Sequence, residues 1–394
     1  MKLFNTLTQS LQEFVPLDDT VKIYVCGVTP YDTTHLGHAF TYLTFDTLMR
    51  YLEYTGHKVK YVQNVTDIDD DVIRKARELG MQWDELGNRE IERFLDDTDS
   101  LNIRRPDVYA RATDEIERII ELAQALVERG YAYVNEGCVF YDVKHDTEFG
   151  ALAQSIGLND YQSMLAIANE RGNFPEDKRK RDPLDFVLWQ AQAPGEPAWE
   201  SPWGAGRPGW HVECSSMSMH YLGQQIDIHG GGADLTFPHH TCEIAQSEHY
   251  SGKAPFVRTW MHVGMVYQDG EKMSKSLGNL TLVRNLLKEY SADAIRIVLQ
   301  NHHYRYPWEC FPEDLKIAAD TAQLFKQVRE LIGPRLDGEN TMLHNRFIAA
   351  MENDLNTPEA LQLLKQSARE ALDTRDKNLG AEVLRLTGIL GLTA

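Results

Sequence analysis

The 394-residue sequence predicts an α/β fold: a parallel-sheet domain carrying an insertion, followed by a C-terminal helical bundle. Three observations predict it. Val21–Val25 is apolar and β-prone, Gly27 and Pro30 break it, and Tyr42, Phe45, Leu48, Met49 and Leu52 then recur at helical spacing. A second β-prone run, Lys58–Val65, follows that helix at the distance of a βαβ unit, which favours a parallel pair. From about residue 311 the chain is polar and helically periodic.

Bulk properties narrow the class. Hydrophobic residues make up 42% and charged residues 25%, the balance of an ordinary globular protein. No apolar run reaches the roughly 18 residues of a membrane-spanning helix. Met1–Asn5 lacks the long apolar region of a signal peptide, so a cytoplasmic protein without membrane partners is expected. The five cysteines, at 26, 138, 214, 242 and 310, are odd in number and scattered, which suits thiols or metal ligands better than a disulfide framework. A net charge of −19 opposes non-specific attraction to nucleic acid, yet a local basic face can coexist with it.

Residues 1–104 read as the first half of a nucleotide-binding α/β domain, the Rossmann catalytic domain of the resemblance drawn below. A strand entering a helix through a glycine-containing turn presents free N–H groups, a natural phosphate site, and His35-Leu36-Gly37-His38 occupies that turn. Taken alone the motif is weak, because two histidines near a helix start are commonly structural. Thr66–Asp71 follows the second strand, where ligands collect in such folds; Asp67 suits a helix cap as well as a binding role. Helices are expected over Asp69–Leu79, Asp84–Leu101 and Thr113–Arg129.

Residues 105–204 read as an insertion, with a β-prone Tyr131–Val143 and a Pro-, Gly- and charge-rich Glu170–Pro183. Its basic Lys178–Arg181 cluster suits a solvated loop. Residues 205–265 return to the catalytic texture. Gly209–Cys214 opens a helix bearing Met217 and Met219, a strand covers Gln225–His229, and the triplet Gly230–Gly232 follows it. Phe237–Glu243 begins another helix with proline in its first turn. Residues 266–310 form a connecting fold carrying Lys272-Met273-Ser274-Lys275-Ser276, a loop suited to neutralising a triphosphate. Residues 311–394 form the bundle, with helices over Pro312–Ile332, Thr341–Leu355, Pro358–Asp373 and Asn378–Ile389 and no chemistry of their own.

A metal site is written in the spacing. His239 and Glu243, four apart on one helix, share a face. Cys214 near a helix start and Cys26 at a strand end both fall on the nucleotide edge of the sheet. The four make a tetrahedral zinc set, though spacing alone equally allows four unrelated buried or capping residues. Cys138, Cys242 and Cys310 read as ordinary thiols.

The motifs together resemble the cysteinyl-tRNA synthetase family of class I over roughly residues 20–310. The resemblance rests on Cys26-Gly27, His35–His38, Asn64–Asp70, Trp199–Gly204, Gly209–Cys214, His229–Gly232, Phe237–His240 and Lys272–Ser276. It implies a class I synthetase-like Rossmann catalytic domain and an ATP-dependent, AMP-forming cysteine ligase. Zinc on Cys26, Cys214, His239 and Glu243 would hold the substrate thiolate, for which serine's hydroxyl is a poor replacement. His35, His38, Lys272 and Lys275 would be catalytic, stabilising charge on the phosphates. ATP, with Mg2+, would contact Thr34, Gly37, Gly230, Gly231, Gly232, Ser274 and Ser276. Gly27, Thr29, Thr66 and Trp210 would wall the amino-acid pocket, with Asp234 facing the ammonium.

Two members of this superfamily differ in acceptor. Only about 118 residues follow Ser276, so the anticodon-reading domain of a full-length synthetase is expected to be absent. Thr29–His38, Tyr61–Asp67 and His303–Arg305 are closer to the mycothiol-pathway ligase, which joins cysteine to the amine of glucosaminyl-inositol. Glu243–Ser247 and Asn353–Pro358 are synthetase-like. The leading expectation is therefore the ligase with an amino-sugar acceptor. The alternative is a minimal cysteinyl-tRNA synthetase charging tRNA. A non-catalytic cysteine- or nucleotide-binding paralogue is a third reading, opposed by the intact histidines, loop lysines and metal ligands.

Overall fold

The structure is a computed structural model describing residues 1–31, 34–273, 280–334 and 340–393. Its centre is a five-stranded sheet built from β1 (Thr20–Val28), β2 (Lys58–Val65), β3 (Val108–Arg111), β4 (Ile226–Gly232) and β5 (Val257–Val263). The order is β5-β4-β1-β2-β3 and every neighbouring pair is parallel. Successive side chains of β1 enter different layers. Val21, Ile23 and Val25 pack into the core of helix α1 (Leu36–Tyr54), whereas Tyr24 and Cys26 pack with helix α2 (Trp210–Leu222). A sheet buried on both faces needs such apolar residues at every position. The chain leaves β1 for one half of the sheet and returns at β4 for the other, so a crevice opens beyond the strand ends where β1 and β4 adjoin.

Two boundaries fall elsewhere than the sequence pattern places them. Val108–Arg111 pairs with Val62–Val65 and belongs to the parallel sheet, not the insertion. Four residues are too few to show a period-2 signal. The insertion has its own antiparallel sheet, Ala132–Asn135, Cys138–Tyr141, Phe186–Ala191 and Gly206–Pro208, so it extends past residue 204. The glycine triplet also differs: Gly230–Gly232 continues β4 and pairs with Met261–Val263 instead of turning after it. Backbone pairing needs no side chain, and a Cβ on Gly230 would lie 2.0 Å from Phe45 Cζ, so glycine here lets α1 pack onto the strand.

After the three-stranded sheet of Val266–Gln268, Glu271–Lys272 and Trp308–Glu309 come four helices: Pro312–Ile332, Thr341–Glu352, Thr357–Thr374 and Lys377–Ile389. A buried ion pair ties the bundle to the catalytic domain. Arg296 Nη2 lies 2.7 Å from Asp46 Oδ2 on α1 and donates to the Leu390 carbonyl at the bundle's last helix. No described helix is long and apolar enough to cross a membrane.

Candidate active site and metal centre

Tertiary packing gathers the four metal candidates at the crevice. Cys26 stands two residues before the end of β1 and faces α2, Cys214 stands in the first turns of α2, and Glu243 lies at the start of helix α3 (Thr241–Ser251), one turn beyond His239. Cys26 Sγ is 3.9 Å from Cys214 Sγ and 3.7 Å from Glu243 Oε1, and His239 Nε2 is 3.2 Å from Glu243 Oε1. All four are buried, and their ligand atoms lie within 4.8 Å of one another. Burial pushes the Cys26 thiol and the Glu243 carboxyl well up and holds the His239 imidazole neutral. Glu243 Oε2 is buried without a hydrogen-bond partner among the described residues. A bound dication restores the thiolate and carboxylate that burial disfavours at Cys26 and Glu243, and it uses the His239 imidazole in its neutral form, so these buried donors fit a metal ion.

His229 and His240 complete a second donor set with Cys26 and Glu243, which sequence spacing does not reveal. His240 Nε2 is 3.3 Å from Cys26 Sγ, and His240 Nδ1 is 2.7 Å from His262 Nε2. Both histidines stand in recognisable motifs. No periodicity, however, aims residues of β4 and the next turn at the end of β1. His239 is oriented from behind: its Nδ1 lies 2.9 Å from His211 Nδ1, and the Trp210 indole stacks on its ring at 4.4 Å.

Trp210 also walls a cavity of about 600 Å³ that contains Cys26, Gly27, Thr29, Gly232 and Asp234 together with His35, Gly37 and His38. The amino-acid and phosphate candidates thus share one chamber. His35 is the N-cap of α1, its Nδ1 accepting from the N–H groups of Gly37 and His38 at 3.1 and 3.4 Å. An accepting Nδ1 leaves the ring proton on Nε2, so the imidazole donates from that nitrogen alone. Gly27 donates its N–H to Asn64 Oδ1 at 2.7 Å, and a Cβ there would lie 1.6 Å from the Asn64 carbonyl oxygen. Asn64 is a partner the sequence reading did not single out. Thr66 is buried behind it, its Oγ1 accepting from Asn64 Nδ2 at 3.3 Å, outside the cavity wall. Thr34 is likewise buried, its carbonyl accepting from Val283. Gly230 and Gly231 sit within β4 and do not line the cavity; Gly231 lies behind Cys26 and Leu235, which do. Arg74 and Tyr31 line the cavity without having been anticipated. Lys272 lies on the strand Glu271–Lys272, paired through its backbone with Tyr267. Its side chain, Ser274, Lys275 and Ser276 lie outside the described residues.

Comparison with known proteins agrees with this architecture. The family described as tRNA synthetases class I (C) catalytic domain matches residues 13–320, and the DALR domain family matches residues 346–393. A cysteine–tRNA ligase of Dehalococcoides mccartyi is 46% identical over 403 residues, covering 100% of this chain and 86% of that protein. The cysteine–tRNA ligase of Vibrio atlanticus is 44% identical over 401 residues, covering 100% and 85%. Among solved structures, Mycobacterium tuberculosis methionyl-tRNA synthetase in complex with methionyl-adenylate superposes with a TM-score of 0.66 at 15% identity, covering 95% of this chain and 90% of that one. That likeness speaks for the fold.

These relatives overturn the amino-sugar expectation. Both of these curated relatives, aligned along the whole chain, are cysteine–tRNA ligases, and the last helices, expected to carry no chemistry of their own, match the DALR family. That expectation rests on the length after Ser276 and on the likeness of Thr29–His38, Tyr61–Asp67 and His303–Arg305 to the ligase. A length carries no information about the shape of an acceptor site, and three short stretches weigh less than 44–46% identity along the whole chain.

Proposed function

We infer that this chain, which belongs to the cysteine–tRNA ligase family of class I tRNA synthetases, activates cysteine with ATP and passes the cysteinyl group to tRNA. The observation that carries the reading is one cavity with Cys26 of the metal cluster in its wall and the capped His35-Leu36-Gly37-His38 turn beside it. An amino acid seated by its thiol would have its carboxylate within the same chamber as the phosphates. Zinc on Cys26, Cys214, His239 and Glu243 would supply a thiophilic Lewis acid that favours cysteine over serine.

The chain's own residues do the rest. Gly27 and Thr29 close the pocket floor, Trp210 covers one side, and Asp234 faces the substrate ammonium. A carboxylate oxygen of cysteine attacks the α-phosphorus of ATP, and the bond from that phosphorus to the bridging oxygen breaks, releasing pyrophosphate. His35 Nε2–H and His38 stabilise the charge growing on the phosphates, joined by Lys272 and Lys275 with Ser274 and Ser276. A ribose hydroxyl of the tRNA terminus then attacks the activated carbonyl, and AMP leaves.

The test is labelled cysteine and ATP incubated with total tRNA. Label on tRNA and cysteine-dependent ATP–pyrophosphate exchange are expected. Exchange without label on tRNA would remove the acceptor assignment. Folded, metal-loaded protein with no exchange would make the chain a binding paralogue.

A further inference from the structure

We propose that Arg171 of the insertion is a positioning residue for the cysteine site, bridging two carbonyls of the turn that carries Asp234 and His239. The chain must cross from Gly232, where β4 ends, to Thr241, where α3 begins, while presenting Asp234 to the cavity and His239 to Glu243. The crossing is irregular. A 3₁₀ turn covers Ala233–Leu235, and Phe237 is extended at φ −139° and ψ 135° amid otherwise helical residues. Such a break takes carbonyls out of the helical ladder and leaves them in need of other donors.

Arg171 supplies one. Its Nη1 donates to the carbonyl oxygens of both Asp234 and Phe237. Those residues lie three apart in the irregular middle of the crossing, so a single guanidinium nitrogen fixes Asp234 and the chain just ahead of His239, and a charged donor makes the stronger kind of hydrogen bond. Arg171 is the C-cap of the insertion helix Tyr161–Glu170. Its basic neighbours behave differently: Arg179 pairs with Asp177 and Arg181 with Asp142, all within the insertion. Arg171 instead reaches into the catalytic half. It also lines a second cavity, of about 510 Å³, which shares the Trp210 wall with the first. The insertion thereby holds the segment on which a metal ligand and an ammonium partner depend.

The proposal rests on the cysteine-activating reading of the cavity, and its test separates the two. Arg171→Met and Arg171→Lys are compared with the unaltered full chain in three measurements: zinc retention against a chelator, KM for cysteine and for ATP in pyrophosphate exchange, and Tm. Arg171→Met is expected to release zinc about 10-fold more readily, the low end for losing a group that orients a ligand, since Arg171 holds the turn and not a ligand itself, and to raise KM for cysteine similarly. KM for ATP should hold, and Arg171→Lys should recover part of the loss. Unchanged zinc retention and cysteine KM would overturn the proposal. Equal rises in both KM values with a lowered Tm would also overturn it, showing a merely structural role. If the unaltered chain retains zinc but shows no cysteine-dependent exchange, the functional reading fails while the zinc measurement still decides Arg171.

Discussion

Cys26 Sγ and Cys214 Sγ lie 3.9 Å apart although 188 positions separate them in the chain. One stands near the end of a strand and the other on the helix packed against that strand's same face. Their closeness is a product of layer packing, and a metal held by the proposed four ligands would depend on both thiols.

Cys214→Ala should therefore abolish metal binding and cysteine-dependent exchange together. Cys242→Ala is the matched control, since Cys242 is equally buried and adjoins Glu243 in sequence but lies outside both donor sets. Elemental analysis of the two purified proteins decides the point. Metal lost from both, or from neither, would sink the assigned ligand set.

Substitution can separate the cap that His35 forms from its proposed role at the phosphates. As the N-cap of α1 it accepts from two backbone N–H groups, and His35→Ala should cost about 1 kcal/mol in denaturant unfolding. Asparagine is a good cap but carries no imidazole. His35→Asn should recover most of that stability while kcat for exchange stays down by about 10²–10³, as expected when one preorganised donor is removed. Recovery of activity with stability would mean that capping alone was needed.

Arg296 and Asp46 are fully buried partners at the junction of catalytic domain and bundle. Removing the guanidinium by Arg296→Met leaves Asp46 with Arg50, whose Nε lies 3.0 Å away, as its remaining cation. Breaking such a pair typically costs about 3–5 kcal/mol, and Arg50 places the expected loss at the lower end. The Leu390 carbonyl also loses its donors from Arg296. Faster hydrogen exchange in Lys377–Ile389, with a lowered denaturant midpoint, is the predicted signature; an unchanged midpoint would refute the clamp.

Asp69 caps the helix Asp70–Leu79, its side chain accepting from the Val72 N–H. Burial, with added repulsion from Asp71 and Asp70, pushes its carboxyl up to about 7 from 3.8. The folded protein thus holds a proton there that the unfolded chain releases. This contribution to stability is complete below about pH 4 and disappears as pH rises through about 7. Asp69→Asn keeps a capping side chain without the charge, so its Tm should decline less over that interval than that of the unaltered protein. Parallel Tm–pH curves would contradict the shift.

Much of this protein was legible because it is local. The strand–turn–helix around Gly27 and Pro30 showed in composition and period. The His239–Glu243 pair showed because four residues is about one helical turn, whatever the rest of the chain does. Periodicity states which face of an element is apolar, and that sufficed for the two-sided β1 and the helices of the bundle. It does not state which elements meet. Only packing brought His229 and His240 to Cys26, set Asn64 against Gly27, and pressed Phe45 so close to Gly230 that a glycine read as a ligand platform is a packing site. Only packing carried Arg171 across to the Asp234–Phe237 turn. These contacts join residues far apart in sequence, and they form where burial of whole faces repays the entropy of ordering them, a balance no short window of sequence contains.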